Sequence, residues 1–449
     1  FLVIQSDTSI SRMRQQGGHL MSEIFIQNIA IIRQRWPHLY NILTQQKTDT
    51  ISAVLVEGLS TTLQINGIQL TSRHDRLKEA FQQANSVPEN PVLHLYGTGL
   101  GDLQIELLKR SGLLRLYIHI LNETLFALVL HLLDQQEWLN DPRVELSLAS
   151  AVKEIQSPFF AIPAELLLVT DQNSKIRDRL VAEIEISYVQ QRFNPCDSRV
   201  IDRIYSNEHV LSIDDDVAVL FNRYSGQDAY ILATGPTLEL HYQKLLEITS
   251  KRHHPVLICL DTALRPLIEH GITPDIVVSI DEFTSCSHFP NKISQNVQLV
   301  YFPMVMNETL LSWQGKRYAA YSFSRIYDEI NKKYPKSRLY SNGSVIHPAT
   351  DLAVRLGVKT ITFFGADFCF PNNKTHAGWN DGVLGESFST AKHWVLNGEG
   401  QRVKTLLNFR SYLCGLERYI AKHPEVHFYN TSRMGAAIDG TDYHPEYVL

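Results

Sequence analysis

The feature that most constrains this chain is a unit that recurs through its second half: a short apolar run, a polar turn, then an amphipathic helical pattern. Apolar runs at 229–233, 256–260 and 276–280 alternate with helical patterns over 238–250 and 262–270. The second of these has Ala263, Leu264, Leu267 and Ile268 on one face and stops at Gly271, where a left-handed cap is wanted. Apolar strands separated by helices require crossovers, and a sheet joined that way is parallel and covered on both faces. The pattern resumes with strand-like 297–302 and 318–322. A helix follows with Ala349, Leu352, Ala353 and Leu356 at i, i+3, i+4, i+7, ended by Gly357. A strand at 360–364, an amphipathic helix over 403–420 and a strand at 426–429 complete the unit. The expected fold class is α/β, with a doubly wound, Rossmann-like, mostly parallel sheet.

The first half has a smaller α/β texture. Phe25, Ile29, Ile32 and Trp36 have helical spacing, and 62–71 alternates around Asn66-Gly67, a strong hairpin signal. A strand at 92–96 runs into Gly97-Thr98-Gly99-Leu100-Gly101, a helix over 102–110 and a strand at 116–121. The glycines would let a nucleotide or a methyl donor's adenosyl group approach, with Glu123 on the ribose, although such a turn more often serves packing alone. The texture divides the chain into a leader (1–90), a degenerate Rossmann-like domain (91–205), a catalytic domain (206–435) and a short tail (436–449). Asp214-Asp215-Asp216, before the third of these, imitates a metal-holding acidic motif but reads better as a solvated turn.

Composition narrows the partners. At 449 residues, 44% apolar and 20% charged, the chain can bury more than one core. Its net charge of −5 and the lack of a basic arm argue against long nucleic acid. The most apolar stretches, 113–133 and 158–170, are broken by Arg115, His119, Glu123, His131 and Glu165, so no membrane span is expected. Residues 1–20 do not resemble a signal peptide, and Met21 offers a native start. Cys196, Cys259, Cys286, Cys369 and Cys414 form no CxxC pair, which suits reduced thiols in a cytoplasm better than disulfides or zinc.

In an open parallel sheet, ligands bind beyond the carboxyl ends of the strands. The turns expected there are Thr234-Gly235-Pro236-Thr237, Asp261-Thr262, Asn342-Gly343-Ser344 and Gly365-Ala366-Asp367. Gly235 and Gly343 would admit a ligand close to backbone, and the helices that follow favour a phosphate. No GxxxxGK[ST] occurs, which sets aside P-loop kinases and ATPases.

The order of these turns resembles the motility accessory factors, or Maf proteins, whose central domain is similar to bacterial sialyltransferases. The residues that carry the resemblance are Leu232-Ala233-Thr234-Gly235-Pro236-Thr237-Leu238 and the run from Ala263-Leu264-Arg265-Pro266 to Ser279-Ile280-Asp281. Further on come Leu356-Gly357-Val358, Gly365-Ala366-Asp367, Lys374-Thr375-His376-Ala377 and Tyr429-Asn430-Thr431. Ser72-Arg73-His74-Asp75-Arg76 and Tyr96-Gly97-Thr98-Gly99 extend it into the first half. It departs at Thr237, where the family commonly has Ser, and past Gly440, where many members continue into a helical tail.

The resemblance implies transfer of pseudaminic or legionaminic acid from a CMP-activated donor to Ser or Thr of flagellin, without cofactor or metal. Thr234, Gly235, Pro236, Thr237 and Asp261 would then hold the donor from one side, and Asn342, Gly343 and Ser344 from the other. Gly365 and Asp367 would meet base or ribose. A general base must take the acceptor's proton, and among 18 histidines His376 is the first candidate and His393 the second. Asp281 would orient donor or acceptor. The same domain type also resembles an archaeal pterin pyrophosphokinase that would use ATP and Mg²⁺. A non-catalytic flagellin-binding assembly factor and a methyltransferase are the remaining alternatives.

Overall fold

The computed structural model describes residues 22–192, 198–281 and 295–449, with Phe289 and Ile293, and the side chains among these except at 186–192. The expected start at Met21, the segment before it, Cys196 and Cys286 lie outside the described residues. The chain divides into two compact units, one ending at Glu183 and the other beginning at Ile184.

In the first unit, β1 (Ala53–Val56), β2 (Thr62–Ile65) and β3 (Ile68–Gln69) form a small antiparallel sheet, with Asn66-Gly67 as the turn between β2 and β3. A second sheet, all parallel, combines β4 (Val92–Tyr96), β5 (Arg115–Ile120), β6 (Val144–Leu148) and β7 (Phe159–Ala161) in the order β6-β5-β4-β7. Its core joins Phe25, Ile32 and Leu39 from the first helices to Leu93, Leu95, Leu116 and Ile118 from the strands. The helix Glu23–Arg35 begins where the Ser22 hydroxyl accepts from the Phe25 amide. That bond satisfies one of the donors a helix start leaves open.

The second unit contains a nine-stranded, wholly parallel sheet. Its strands are β8 (Asp215–Asp216), β9 (Asp228–Leu232), β10 (Val256–Leu260), β11 (Ile276–Ser279), β12 (Gln298–Tyr301) and β13 (Arg317–Ala319). After these come β14 (Thr360–Phe364), the separate hairpin β15 (His393–Leu396) and β16 (Arg402–Thr405), then β17 (His427–Asn430) and β18 (Asp442–Tyr443). The sheet order is β18-β17-β14-β9-β10-β11-β12-β13-β8. From β9 the chain winds outward to β13, then crosses back to place β14 on the other side of β9. Side chains alternate between two cores: Ala229 and Ile231 enter one, Tyr230 and Leu232 the other. A sheet covered on both faces is the α/β, doubly wound architecture the apolar runs predict.

Three elements differ from expectation. Residues 402–405 are strand β16, and the helix begins only at Leu407, because Arg402–Thr405 pairs with β15 in an antiparallel hairpin. The apolar stretch after Thr237 is a tight 3₁₀ segment, Pro236–His241, before the helix Tyr242–Thr249. Asp442–Tyr443, expected in the tail, adds an edge strand to the main sheet. Among the described residues, no helix is long and apolar enough to cross a membrane. Cys259, Cys369 and Cys414 are buried.

Candidate functional site

The order of winding reverses between β9 and β14, and the turns after these two strands face each other there. The Gly235 amide donates to the Gly365 carbonyl at 2.8 Å. Gly365 has φ +70°, and a Cβ on it would lie 2.6 Å from the Ala233 carbonyl oxygen, so only glycine fits. A Cβ on Gly235 would meet the Gly365 carbonyl and lie 2.6 Å from Asp367 Oδ2.

Asp367 holds this junction. Its carboxylate is 3% exposed, with Oδ2 accepting from the Thr237 amide at 2.8 Å and Oδ1 from the Thr237 hydroxyl at 2.6 Å. Burial pushes its pKa up to about 6, against the pull of the two Thr237 bonds. Both oxygens are thus engaged by the turn itself, and Thr237 is as buried as its partner.

Beyond this junction a cleft of about 230 Å³ opens along the carboxyl ends of β9, β10, β11 and β14. Of the residues expected to bind donor, Thr234, Gly235, Asp261, Gly343, Ser344, Gly365 and Asp367 line it, as do Asp281 and His376. Thr234 and Thr262 share a hydroxyl–hydroxyl bond of 2.6 Å. Asp261 accepts from the Ser279 hydroxyl and the Thr262 amide, both at 2.8 Å. Pro236 and Thr237 lie buried beside the cleft rather than in its lining. Asn342 turns towards Gly415 on the helix Leu407–Ala421, where its amide leaves no space for a Cβ. His393 sits on β15 beside Arg410, 3.4 Å between Nδ1 and Nη1, outside the lining.

His376 is brought in by its neighbours in the loop after β14. The Ala377 amide donates to the Thr234 carbonyl at 2.8 Å, and Lys374 and Gly378 both donate to Glu239, at 2.5 and 2.6 Å. These bonds lash the loop to the turn after β9, and the imidazole between them is only 15% exposed. Burial lowers its pKa to about 4, offset in part by Asp381, so the ring is neutral at physiological pH.

The sequence reading did not single out the opposite side of this ring. Glu386 Oε2 is 4.0 Å from His376 Nε2. Burial raises the Glu386 pKa, with Asp281 adding to the effect and Asn408 opposing it. Tyr412 and Phe409 complete the wall from the helix Leu407–Ala421. Thr375, 2% exposed, has a hydroxyl without a hydrogen-bond partner among the described residues. The spacing of Asn408 and Tyr412, one helical turn apart, was the readable signal for this wall. Glu386 lies in a polar loop whose pattern gives no sign of where it folds.

Two other motifs are occupied from within the chain. The amides of Thr98, at 2.7 Å, and Gly99 both donate to Glu165, whose carboxylate fills the glycine turn of the first unit. Glu165 is fully buried and burial raises its pKa to about 7. Glu123, the expected ribose ligand, accepts from Asn173 at 3.0 Å. In the acidic triplet, Asp214 pairs with Arg317, Asp215 with Lys316, and Asp216 with the Ala218 and Ser337 amides. Among the described residues, no cluster of three or more His, Cys, Asp or Glu is arranged to hold a metal.

Residues 203–373 match the family described as 6-hydroxymethylpterin diphosphokinase MptE-like. Among solved structures, the chain is similar to a Maf glycosyltransferase from Magnetospirillum magneticum AMB-1. That likeness has 14% identity and a TM-score of 0.39, covering 96% of this chain and 76% of the other. No curated relative matches.

Proposed function

We propose that the second unit is a glycosyltransferase that takes a CMP-activated nonulosonic acid, pseudaminic or legionaminic, and passes the sugar to Ser or Thr hydroxyls of flagellin. The observation that carries this reading is a largely buried imidazole, His376, set in a cleft at the sheet's switch point beside the turns that follow β9, β10 and β14. The sequence motifs shared with Maf proteins supply the donor and acceptor classes.

Backbone at Gly235 and Gly343 meets the nucleotide phosphate, Thr234 and Ser344 offer hydroxyls, and Asp261 takes a ribose hydroxyl. Asp367 acts one step back, by fixing Thr237 and hence the turn. In the transfer, the acceptor hydroxyl gives its proton to His376 as its oxygen bonds to the anomeric carbon. The bond from that carbon to the phosphate oxygen breaks, and its electron pair leaves on CMP. A ring with a pKa near 4 is unprotonated and available, but weakly basic.

A second reading has its own support. The family match over 203–373 points to a pterin diphosphokinase. The described lining has no Lys or Arg, so a triphosphate there would have to arrive with its charge screened by Mg²⁺. Calorimetry with CMP, CDP, ATP and adenosylmethionine, each with Mg²⁺ or EDTA, separates the readings. The transferase requires CMP binding that survives EDTA and is lost when Gly235 or Ser344 is replaced by a bulky residue. It also requires that His376→Ala abolish transfer while CMP still binds. Mg²⁺-dependent ATP binding with no response to CMP would replace it with the kinase, and flagellin binding indifferent to nucleotide would favour an assembly factor.

A further inference from the structure

Resting on the transferase reading above, we propose that Glu386 is the positioning residue of His376, facing Nε2 so that Nδ1 is left to the acceptor and stabilising the imidazolium formed when Nδ1 takes the proton. The geometry assigns the two ring nitrogens different tasks. Nε2 faces Glu386 Oε2 at 4.0 Å, outside hydrogen-bond range but within reach of an ion pair, which leaves Nδ1 for the substrate. The pair is therefore weakly engaged while the ring is neutral and strengthens as the ring gains a proton. That is the requirement for a group that favours the transition state over the ground state.

The surroundings fit this division. Glu386 and Asp381 face His376 from its own loop, and Phe409 meets its ring edge-on at 6.4 Å from the helix Leu407–Ala421. Asp381 is fixed in the loop by the Ser387 hydroxyl, at 2.7 Å, and the Phe388 amide, at 2.9 Å, which closes the turn that carries Glu386. Facing Glu386 itself are Asp281, just beyond β11, and Asn408 and Tyr412 on the helix. Asn408 favours the charged form of Glu386, so the helix as well as the loop acts on the carboxylate. Asp281 disfavours the Glu386 charge, and a newly protonated His376 restores it. A lone buried imidazole is a poor base; Asp381 already favours its protonated form, and Glu386 adds to that as the proton arrives.

The test uses the full chain and the isosteric variant Glu386→Gln, which keeps the side chain's shape beside Asn408, with the thermal midpoint as a check that the fold is intact. The His376 imidazole is titrated by NMR of ¹³C-histidine-labelled protein and assigned by the signal missing from His376→Asn. Removing a facing negative charge lowers the ring's pKa by about half a unit or more. For transfer from CMP-sugar, kcat falls by about 10- to 100-fold and its acidic limb moves to lower pH, while CMP affinity stays within about twofold. An unshifted imidazole, or wild-type kcat in Glu386→Gln, overturns the proposal. If wild-type protein transfers no sugar but the imidazole shifts as expected, the transferase reading fails and the pairing stands.

Discussion

Replacing Asp367 by Asn removes one buried charge without changing the shape of the switch-point turn. The asparagine oxygen can still accept from the Thr237 amide, and its NH₂ can donate to the Thr237 hydroxyl, so the two contacts at 2.8 and 2.6 Å have counterparts in the variant. What disappears is a titration. Asp367 has its pKa raised from 3.8 to about 6 by burial, so the native state holds this proton more tightly than the unfolded chain does. For a carboxyl shifted upward, stability is greatest below the unfolded pKa and falls as pH rises through the folded one. A shift of about two units corresponds to about 3 kcal/mol in full, of which about 2 kcal/mol falls between pH 4 and pH 7.5. Urea unfolding of wild type and Asp367→Asn at those two pH values isolates it, because every other titrating group is shared. The stability difference should move by about 2 kcal/mol in favour of the variant at pH 7.5. A difference that is flat with pH, or that moves towards the wild type, would show that the Asp367 charge is better solvated or better paired than its surroundings indicate.

Gly365→Ala should cost at least about 2 kcal/mol and abolish nucleotide binding by calorimetry, because it combines a left-handed φ with a Cβ 2.6 Å from the Ala233 carbonyl oxygen. Retained CMP or ATP affinity in that variant would mean that the β9–β14 junction does not shape the cleft. In the first unit, Glu165 is raised to about 7 by burial, so its charge costs stability as pH climbs from 5 to 7.5. Glu165→Gln should flatten that slope in urea titrations, and an unchanged slope would place the proton elsewhere.

The apolar periodicity was enough to recognise the doubly wound unit, since Val256–Leu260 and Thr360–Phe364 have no side that water could wet and can only be central strands. It failed at 402–405, where Arg402 and Lys404 alternate with Val403 and Thr405 in a pattern short enough to be absorbed into the helix that follows. It also missed the two-residue strands Asp215–Asp216 and Asp442–Tyr443, which exist because a sheet edge offers them partners. Polar motifs were harder to read than apolar ones. Gly97–Gly101 has the look of a ligand turn, yet its amides are filled by Glu165, more than 60 residues further along the chain. Asp367 was expected to meet base or ribose, and in the structure both its oxygens accept hydrogen bonds from Thr237.

The sequence by itself determined the central strands of the main sheet, the helices between them and the turns at their carboxyl ends, because burial imposes a pattern on side chains that can be read one residue after another. Only the tertiary structure decided what those turns face. The meeting of Gly235 with Gly365, of His376 with Glu386, and of Glu165 with Thr98 are contacts between segments far apart in the chain or in loops without period. Electrostatic and hydrogen-bond pairing depends on distance in space, and distance in space is set by the winding of the sheet.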